Sequence, residues 1–253
     1  MTARIVSLYL WPVKGLSGQP LEEARIEPGR PLKDDRRWAI ERSGHVFDPI
    51  HPRHIPKGKF LQLVNTAKLA ALESRYDPET ATLTLLRDGQ QLARGQLTTP
   101  AGRAIIEQFL SAFLEGEIPA PPRIVGHGEH HFFDVPKPWL SVINLETLKD
   151  IERIVGRPVE PERFRANIYI EGLPAWQEFE WVGKEILVNG TSAFRAMERI
   201  GRCIATGVNP KTGERDLHIP RTLLDHYDHK DCGLYMEPGA DLVLKPGDEL
   251  KPA

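Results

Sequence analysis

Arg4-Ile-Val-Ser-Leu-Tyr-Leu-Trp-Pro-Val-Lys-Gly15 is the stretch that decides the fold. It is rich in β-branched and aromatic residues, which are typical of a strand, and Pro12 and Lys14 close its apolar run before a turn. The run itself, Ile5 to Trp11, is only seven residues long. A membrane-spanning helix needs about 20 apolar residues, so this segment predicts a strand rather than a membrane anchor.

Further short strands are expected through the rest of the first hundred residues. Turn pairs such as Pro28-Gly29, Asp77-Pro78 and Asp88-Gly89 separate several of them. Many short strands with regular turns favour an antiparallel sheet or barrel. The predicted strands are Leu21–Ile26, Arg37–Glu41, Phe60–Val64, Leu69–Tyr76, Thr82–Leu86 and Gln91–Leu97.

Two helices interrupt this pattern. Thr99 and Pro100 suit the N-cap and first position of a helix whose apolar residues recur at helical spacing as far as Leu114. Asn144 is expected to cap a second helix over Leu145–Val155. The proline-rich run between these helices, residues 119–122, suggests a domain boundary, and we expect domains over residues 1–118 and 119–253.

The second half is again expected to be rich in strands. A short helix is predicted over Arg221–Tyr227. Together with the first half, this predicts a mainly β fold with a few helices, of the α+β class. The strands predicted here are Asn167–Ile170, Glu185–Val188, Ala193–Glu198, Ile204–Val208 and Leu242–Leu244.

Composition removes several function classes. The 253 residues carry a formal net charge of −2, which argues against a nucleic-acid partner. The only cysteines, Cys203 and Cys232, cannot build a disulfide scaffold, a four-thiolate zinc site or a four-cysteine iron–sulfur cluster. The sequence has no Walker loop, dinucleotide fingerprint or nucleophile elbow. With no export signal or membrane segment, the chain is expected to be cytoplasmic.

Cys203 is the first candidate for chemistry. Arg199 and Arg202 precede it closely, and positive charge favours the thiolate that attacks electrophiles or binds a soft metal. A buried structural thiol is the alternative. Cys232 has no such setting and is expected to be structural.

A second group of candidates could bind an anion. Arg163, Arg165 and Asn167 lie just before a predicted strand, and guanidinium groups match phosphate or carboxylate oxygens in bidentate fashion. Lys14 and Arg36 follow the first strand and have the same potential. Ordinary surface salt bridges are the alternative for all of these cations.

In their order and spacing, these fragments resemble the MOSC superfamily, which comprises molybdenum-cofactor sulfurase C-terminal domains and their relatives. The resemblance extends to the mitochondrial amidoxime-reducing component and its bacterial relatives. It implies an N-terminal β-barrel domain packed on a MOSC β-barrel domain. The fragments that carry it are Leu10-Trp-Pro-Val-Lys-Gly15, Asp35-Arg-Arg-Trp38, Arg163-Phe-Arg-Ala-Asn167, Trp176-Gln-Glu178, Trp181, Gly201-Arg-Cys203, Asn209-Pro-Lys-Thr-Gly213, Cys232-Gly-Leu-Tyr235 and Gly247-Asp248.

The resemblance implies a pyranopterin molybdenum cofactor bound between the two halves. Cys203 stands where the family places the single protein thiolate on molybdenum, and it would be both metal ligand and catalytic residue. Positive side chains would meet the terminal phosphate and the pterin oxygens. The implied cofactor-binding residues are Lys14, Arg36, Arg165, Asn167 and Arg202. The resemblance implies pyridoxal phosphate binding only as a property of the superfamily as a whole.

The chain departs from the family pattern at Ile200, where many relatives carry a second cysteine. That departure weakens any mechanism that moves sulfur between two thiols. Some bacterial relatives append a ferredoxin domain, which two cysteines cannot supply. Electrons would therefore come from a separate donor protein of the ferredoxin or flavin type.

Three functions stay open at the level of sequence. The first is an oxidoreductase that reduces small N-oxygenated molecules, such as N-hydroxylated amidines, by oxygen-atom transfer at molybdenum. The second is a non-catalytic carrier of the cofactor, or a sulfur-delivery protein that uses a Cys203 persulfide. The third is a structural MOSC scaffold without a cofactor.

Overall fold

Short strands make up most of the ordered backbone in the computed structural model, which describes residues 1–253. The predicted fold class is confirmed: the protein is mainly β, with three α-helices. None of these helices combines the length and apolarity needed to cross a membrane. The strands are β1 (Ala3–Leu10), β2 (Gln19–Leu21), β3 (Ala24–Ile26), β4 (Ala39–Glu41), β5 (Glu73–Asp77), β6 (Thr82–Arg87), β7 (Gln90–Gln96), β8 (Arg123–Val125), β9 (Leu140–Asn144), β10 (Ile168–Glu171), β11 (Glu185–Val188), β12 (Thr191–Gly201), β13 (Asp231–Pro238), β14 (Leu242–Leu244) and β15 (Glu249–Pro252).

Seven of these strands form a closed barrel. They follow the order β10-β9-β13-β12-β11-β15-β1, and pairing of β1 with β10 closes the ring. Only β9 and β10 run parallel; the other neighbours are antiparallel. The first strand of the chain therefore completes a barrel whose other strands all come from the second half.

The inward-facing positions of β1 change phase part-way along the strand. Ala3 and Ile5 point into the core, and Leu8 and Leu10 then do so one residue out of phase. A bulge between Ile5 and Ser7 accounts for the change of phase, because an extra residue shifts every later side chain to the other face.

The first half packs a helix on a three-stranded sheet. The sheet has the order β5-β6-β7, and α1 (Pro100–Phe113) lies against β7. Two glycines permit the close approach: a Cβ on Gly95 would lie 2.1 Å from the carbonyl oxygen of Gly102. A separate pair, β4 with β8, joins this unit to the start of the second half.

Both long helices begin and end as the sequence predicts. The Thr99 hydroxyl accepts a hydrogen bond from the Gly102 amide at 3.0 Å, which caps α1. Asn144 caps α2 (Leu145–Val155), and Gly156 ends it in the left-handed conformation with φ of 66°. The third helix, α3, covers Ile219–Tyr227 and begins two residues earlier than predicted.

Several predicted strands are wrong or incomplete. The predicted strand Ile204–Val208 is a 3-10 helix over Ile204–Gly207. The segment predicted as a strand over Leu69–Tyr76 begins inside another 3-10 helix, Ala67–Ala71. Phe60–Val64 makes only one isolated bridge. Short apolar runs suit a buried 3-10 turn as well as a strand, and only the tertiary partners distinguish the two.

A buried carboxylate joins the two halves beside the barrel. Asp35 is 2% exposed and accepts hydrogen bonds from the backbone amide of Trp11 at 2.9 Å and from Asn167 Nδ2 at 3.1 Å. It also pairs with Arg36. The Trp11 indole donates to the carbonyl of Ala166 at 2.8 Å. The turn after β1 and the entry to β10 are thus fixed to the same acid. The division into domains at residue 118 remains a prediction.

We expect Asp35→Asn to lower the free energy of unfolding by about 2 kcal/mol, because an amide cannot accept all three charge-assisted hydrogen bonds. Urea denaturation measures the loss. Asp34→Asn is the matched control, since the Asp34 carboxylate makes no hydrogen bond and asparagine tolerates its φ of 62°. A loss below about 0.5 kcal/mol in Asp35→Asn, within the range of ordinary surface substitutions, would contradict this role.

Candidate functional site

A cavity of about 320 Å³ opens between the first half and the barrel. Its walls come from distant parts of the chain, and six consecutive residues at the end of β12 form one side. Seven of the lining residues are Lys or Arg, and two are carboxylic acids. Such a cavity attracts anions. The cations are Lys14, Arg36, Lys57, Arg163, Arg165, Arg199 and Arg202; the acids are Asp134 and Glu198.

Two lysines share one carboxylate at this cavity. The buried Lys14 ammonium donates to the carbonyl of Phe132 at 2.8 Å and to Asp134, whose other oxygen accepts from Lys57 at 3.3 Å. Burial lowers the pKa of Lys14. Burial would also lower the pKa of Lys57, but the neighbouring Asp134 carboxylate and Cys203 sulfur raise it. Lys57 is therefore a cation close to Cys203.

Arg36 and Asn167 are held by Asp35. Arg36 pairs with that carboxylate and donates from Nη2 to the carbonyl of Arg165 at 2.8 Å. The Asn167 amide oxygen accepts from the backbone amide and hydroxyl of Ser141 at 3.1 and 3.0 Å. Its amide nitrogen donates to Asp35 and to the carbonyl of Tyr9. Asn167 thus spends its hydrogen-bonding groups on fixing this wall.

Arg165 differs from Arg36, Arg163 and Arg202 because its guanidinium has no hydrogen-bond partner or paired acid. Its backbone is left-handed, with φ of 54°, and the guanidinium carbon lies 4.3 Å from the centre of the Trp11 ring. Burial and the nearby Arg36 charge lower the pKa of Arg165 to about 9. The side chain stays charged at neutral pH, so an anion in the cavity would relieve the cost of its burial.

Arg163 is fully engaged elsewhere. Its two Nη atoms donate to Asp216 at 2.7 and 3.0 Å, and Nε donates to Glu160 at 2.6 Å. Of the two alternatives for these cations, salt bridges and anion binding, each therefore applies to a different arginine. Arg163 makes buried salt bridges, whereas Arg165 is free to grip an anion.

Cys203 lies two residues after the end of β12, half-buried on the cavity wall. Its carbonyl accepts from the amide and hydroxyl of Thr206, at 3.1 and 2.9 Å, which starts the following 3-10 helix. Neighbouring Arg202 donates to the carbonyls of Cys232 at 2.8 Å and Phe164 at 3.0 Å. The Nη2 atom of Arg202 is buried without a partner. A polar atom in this position is costly unless a ligand accepts its hydrogens.

Cys232 has no access to this cavity. It is 0% exposed in the cluster of apolar residues that packs α2 and α3 on the barrel. Burial raises the pKa of Cys232 to about 12, so the thiol keeps its proton.

All six residues predicted for the site line this one cavity: Lys14, Arg36, Arg165, Asn167, Arg202 and Cys203. Their roles toward a cofactor remain predictions. Sequence reasoning missed Lys57, which comes from a loop rich in Pro and His with no pattern that marks a site. It also missed Tyr235, whose place in β13 was not predicted. Burial raises the pKa of Tyr235, so its hydroxyl keeps the proton.

Family models match almost the whole chain: the MOSC domain over residues 128–251, and the MOSC N-terminal beta barrel domain over residues 2–117. The chain belongs to the MOSC domain family. This family is associated with the molybdenum cofactor. The matches agree with the cavity, whose walls come from both regions.

This MOSC protein has curated relatives at low identity. It is 23% identical over 251 residues to human mitochondrial amidoxime-reducing component 1, covering 90% of this chain and 72% of the relative. A mouse mitochondrial amidoxime-reducing component 1 is 32% identical over 97 residues, covering 37% of this chain and 28% of the relative. The crystal structure of the YUAD protein from Bacillus subtilis aligns with a TM-score of 0.44 at 14% identity, covering 99% of this chain and 94% of that one.

The residues of this MOSC protein fit an anionic cofactor with a terminal phosphate. Two guanidinium groups support this fit. That of Arg165 has no acceptor within the protein, and that of Arg202 has none for its Nη2 atom. They lie on the same cavity as the half-buried Cys203 thiol, which is a soft ligand. Gly233 allows Arg202 and β9 to pack closely, since a Cβ there would lie 3.2 Å from Nη2 and 2.3 Å from the carbonyl of Val142.

We expect Asp216→Asn to lower the free energy of unfolding at pH 7 by about 2 kcal/mol, because it leaves buried Arg163 short of an acid. The Arg163 hydrogen bond lowers the pKa of Asp216 below its usual 3.8. The wild-type advantage is therefore present above pH 3.8 and is lost as the pH falls through the lower folded-state pKa.

Urea denaturation of both proteins between pH 7 and pH 3 measures this difference. Asp225→Asn, which removes the exposed pair with Arg221, is the control and should cost less than about 0.5 kcal/mol at every pH. A wild-type advantage that grows in acid would be the wrong sign.

Proposed function

We propose that the chain binds a pyranopterin molybdenum cofactor in this cavity and, with Cys203 as the thiolate ligand of the metal, reduces small N-oxygenated compounds. One observation carries the proposal: a buried guanidinium without an acceptor, that of Arg165, lines the same cavity as a half-buried thiol. The cavity thus offers an anion site and a soft metal ligand together. The similarity to amidoxime-reducing components supports the class of substrate.

The cations of the cavity would hold the cofactor in place. Arg165 has free donors for a terminal phosphate, and Arg36 and Lys14 add positive charge beside it. Arg202 would give its free Nη2 to the cofactor while its other donors anchor the walls. Asn167 would act through Asp35, whose position fixes Arg36.

Bound molybdenum supplies oxygen-atom transfer, and the protein supplies the ligand and the surroundings. Cys203 would hold the metal at the cavity wall. The Tyr235 hydroxyl, protonated because of its burial, offers a proton donor on the same cavity. Reduction of an N-hydroxylated amidine to the amidine breaks the N–O bond, consumes two electrons and two protons, and releases water. The electrons would come from a separate ferredoxin- or flavin-type protein.

A carrier role is the second candidate, because the Cys203 thiol is accessible enough to hold a persulfide or to release a cofactor. A carrier would bind the cofactor but would not turn over substrate. Turnover of N-hydroxybenzamidine by the molybdenum-loaded protein, with a chemical electron donor, separates the two functions.

We expect Cys203→Ser to abolish molybdenum-dependent reduction of N-hydroxybenzamidine while the thermal unfolding midpoint stays within a few degrees of the wild type. The hydroxyl is a harder and less acidic ligand than the thiol. Cys232→Ser is the matched control, because its thiol lies outside the cavity; it should lose stability and keep activity. Activity retained in Cys203→Ser would exclude this thiol as the ligand.

We expect Arg165→Gln to retain several-fold less pterin and molybdenum after purification from cells that supply the cofactor. The lost contact is a charge-assisted, bidentate grip on phosphate. Arg165→Lys should retain part of the cofactor content that Arg165→Gln loses. Arg153→Gln, on the exposed face of α2, is the control and should retain the wild-type content. Fluorescence of the oxidised pterin and metal analysis give both contents. Equal contents in Arg165→Gln and wild type would refute the anion grip.

A further inference from the structure

The segment that follows Cys203 leaves the barrel and packs on the first half of the chain. β12 ends two residues before the thiol, and the 3-10 helix Ile204–Gly207 begins directly after it. Val208 is 0% exposed in an apolar cluster whose other members come from residues 13–124, and Ala205 packs against the same cluster. Ala205 also lines the cavity. The thiol is therefore placed by the barrel strand before it and by the core of the first half after it.

A compact loop, residues 207–217, continues this segment. The carbonyl of Gly207 accepts a hydrogen bond from the amide of Asp216 at 3.0 Å, and the amide of Asn209 donates to the carbonyl of Glu214 at 2.7 Å. The Asn209 side-chain oxygen accepts from two backbone amides of the turn, at 2.9 and 3.2 Å. These bonds hold the loop on the segment that follows the thiol.

Arg215 reaches from this loop to the first half of the chain. Its Nη2 atom donates to the carbonyls of Leu63 and Val64, both at 2.7 Å. Its Nη1 atom donates to the carbonyl of Ile204, directly after Cys203, at 3.3 Å. Because Leu63 lines the cavity, this one guanidinium joins the cavity wall of the first half to the residue that follows the thiol.

Two neighbours of Arg215 support the same junction. Gly213 has a φ of 76°, and a Cβ there would lie 3.1 Å from the carbonyl oxygen of Ala67, so the loop lies close against the first half. Asp216 accepts from Arg163, on the barrel side, at 2.7 and 3.0 Å. The loop thus contacts both halves through adjacent residues.

We propose that Arg215 is a positioning residue for Cys203: it holds the segment after the thiol against the first half and so fixes the place of the thiol on the cavity wall. Arg215 does not line the cavity, so it acts through the backbone that it binds. The position of the thiol is a property of the chain alone. The consequence, a weaker hold on the cofactor when Arg215 is lost, rests on the proposed function.

Alkylation of the metal-free protein by iodoacetamide tests the position of the thiol. We expect Arg215→Gln to raise the alkylation rate of Cys203 about tenfold, because the loss of three hydrogen bonds frees the segment that keeps the thiol half-buried. Arg215→Lys should give a smaller increase, since an ammonium can still donate to these carbonyls. Peptide mass spectrometry follows both cysteines. Cys232, which is 0% exposed, reports global unfolding and should stay unlabelled in every variant.

Lys211→Gln is the matched control. Lys211 is exposed on the same loop and its side chain makes no hydrogen bond or ion pair, so this variant removes one positive charge and leaves the contacts to the first half intact. Its alkylation rate at Cys203 should equal that of the wild type. A lower rate in both variants would mean that only the lost charge acts on the thiol, which would overturn the positioning role.

Amide hydrogen exchange gives a second readout that needs no probe on the thiol. The amides of Thr206 and Val208 donate to the carbonyls of Cys203 and Ala205, both at 3.1 Å. Both should exchange faster in Arg215→Gln, whereas the amides of α2 should keep their wild-type rates. Faster exchange throughout the chain would indicate a general loss of stability and would count against a local role.

The alkylation rates decide the role of Arg215 whether or not a cofactor binds. Equal rates at Cys203 in Arg215→Gln and the wild type would refute that role. A parallel rise at Cys203 and Cys232 would also refute it, because Arg215 would then stabilise the whole fold.

Pterin and molybdenum contents, after purification from cells that supply the cofactor, test the consequence separately. We expect several-fold lower contents in Arg215→Gln than in Lys211→Gln. Equal contents would refute the consequence for the cofactor. A wild-type protein that retains neither pterin nor molybdenum would refute the proposed function, and the alkylation rates of the metal-free protein would still decide the positioning role.

Discussion

One buried carboxylate sets the geometry on which the rest of the site depends. Asp35 receives the amide of Trp11, the amide nitrogen of Asn167 and the guanidinium of Arg36. These donors come from the turn after β1, from the entry to β10 and from Asp35's own loop. An acid can accept all of them at once, and no other side chain of that size can. Because this acid connects the turn after β1 with the entry to β10, it fixes the shape of the cavity between the two halves.

The arginines of the cavity have different roles because their hydrogens go to different partners. Arg163 uses its donors on Asp216 and Glu160 and stiffens a wall. Arg202 spends two donors on backbone carbonyls and leaves one buried nitrogen free. Arg165 is instead supported by the Trp11 ring, which leaves its donors available. Burying unpaired charge is costly, so the fold retains these cations at the expense of stability. That pattern is expected of a ligand site and not of a structural core.

The sequence predicted which residues line the site, but it did not predict which of their hydrogen-bond donors are already paired within the protein. Helix caps at Thr99 and Asn144 follow from local chemistry, and both were correct. The six site residues were predicted from the order of their motifs, and they line one cavity although the span from Lys14 to Cys203 exceeds 150 residues. Which of two neighbouring arginines is free could not be predicted, since Asp216 reaches Arg163 only through the fold. The 3-10 helix after Cys203 was mistaken for a strand because an apolar run of four or five residues has no diagnostic period.

The thiols set a limit on what chemistry the chain can perform alone. Ile200 contributes no second thiol to the cavity wall, and Cys232 is sealed in the core with its proton retained. The cavity therefore contains one thiol, Cys203, and no resolving partner for it. Exchange of sulfur between two cysteines of this chain is excluded by that geometry, so a persulfide on Cys203 could only be discharged onto a molecule from outside. A metal ligand, in contrast, needs one thiolate and nothing more. Of the two roles, metal ligation is the one that a single half-buried thiol among free guanidinium groups can serve without a second thiol.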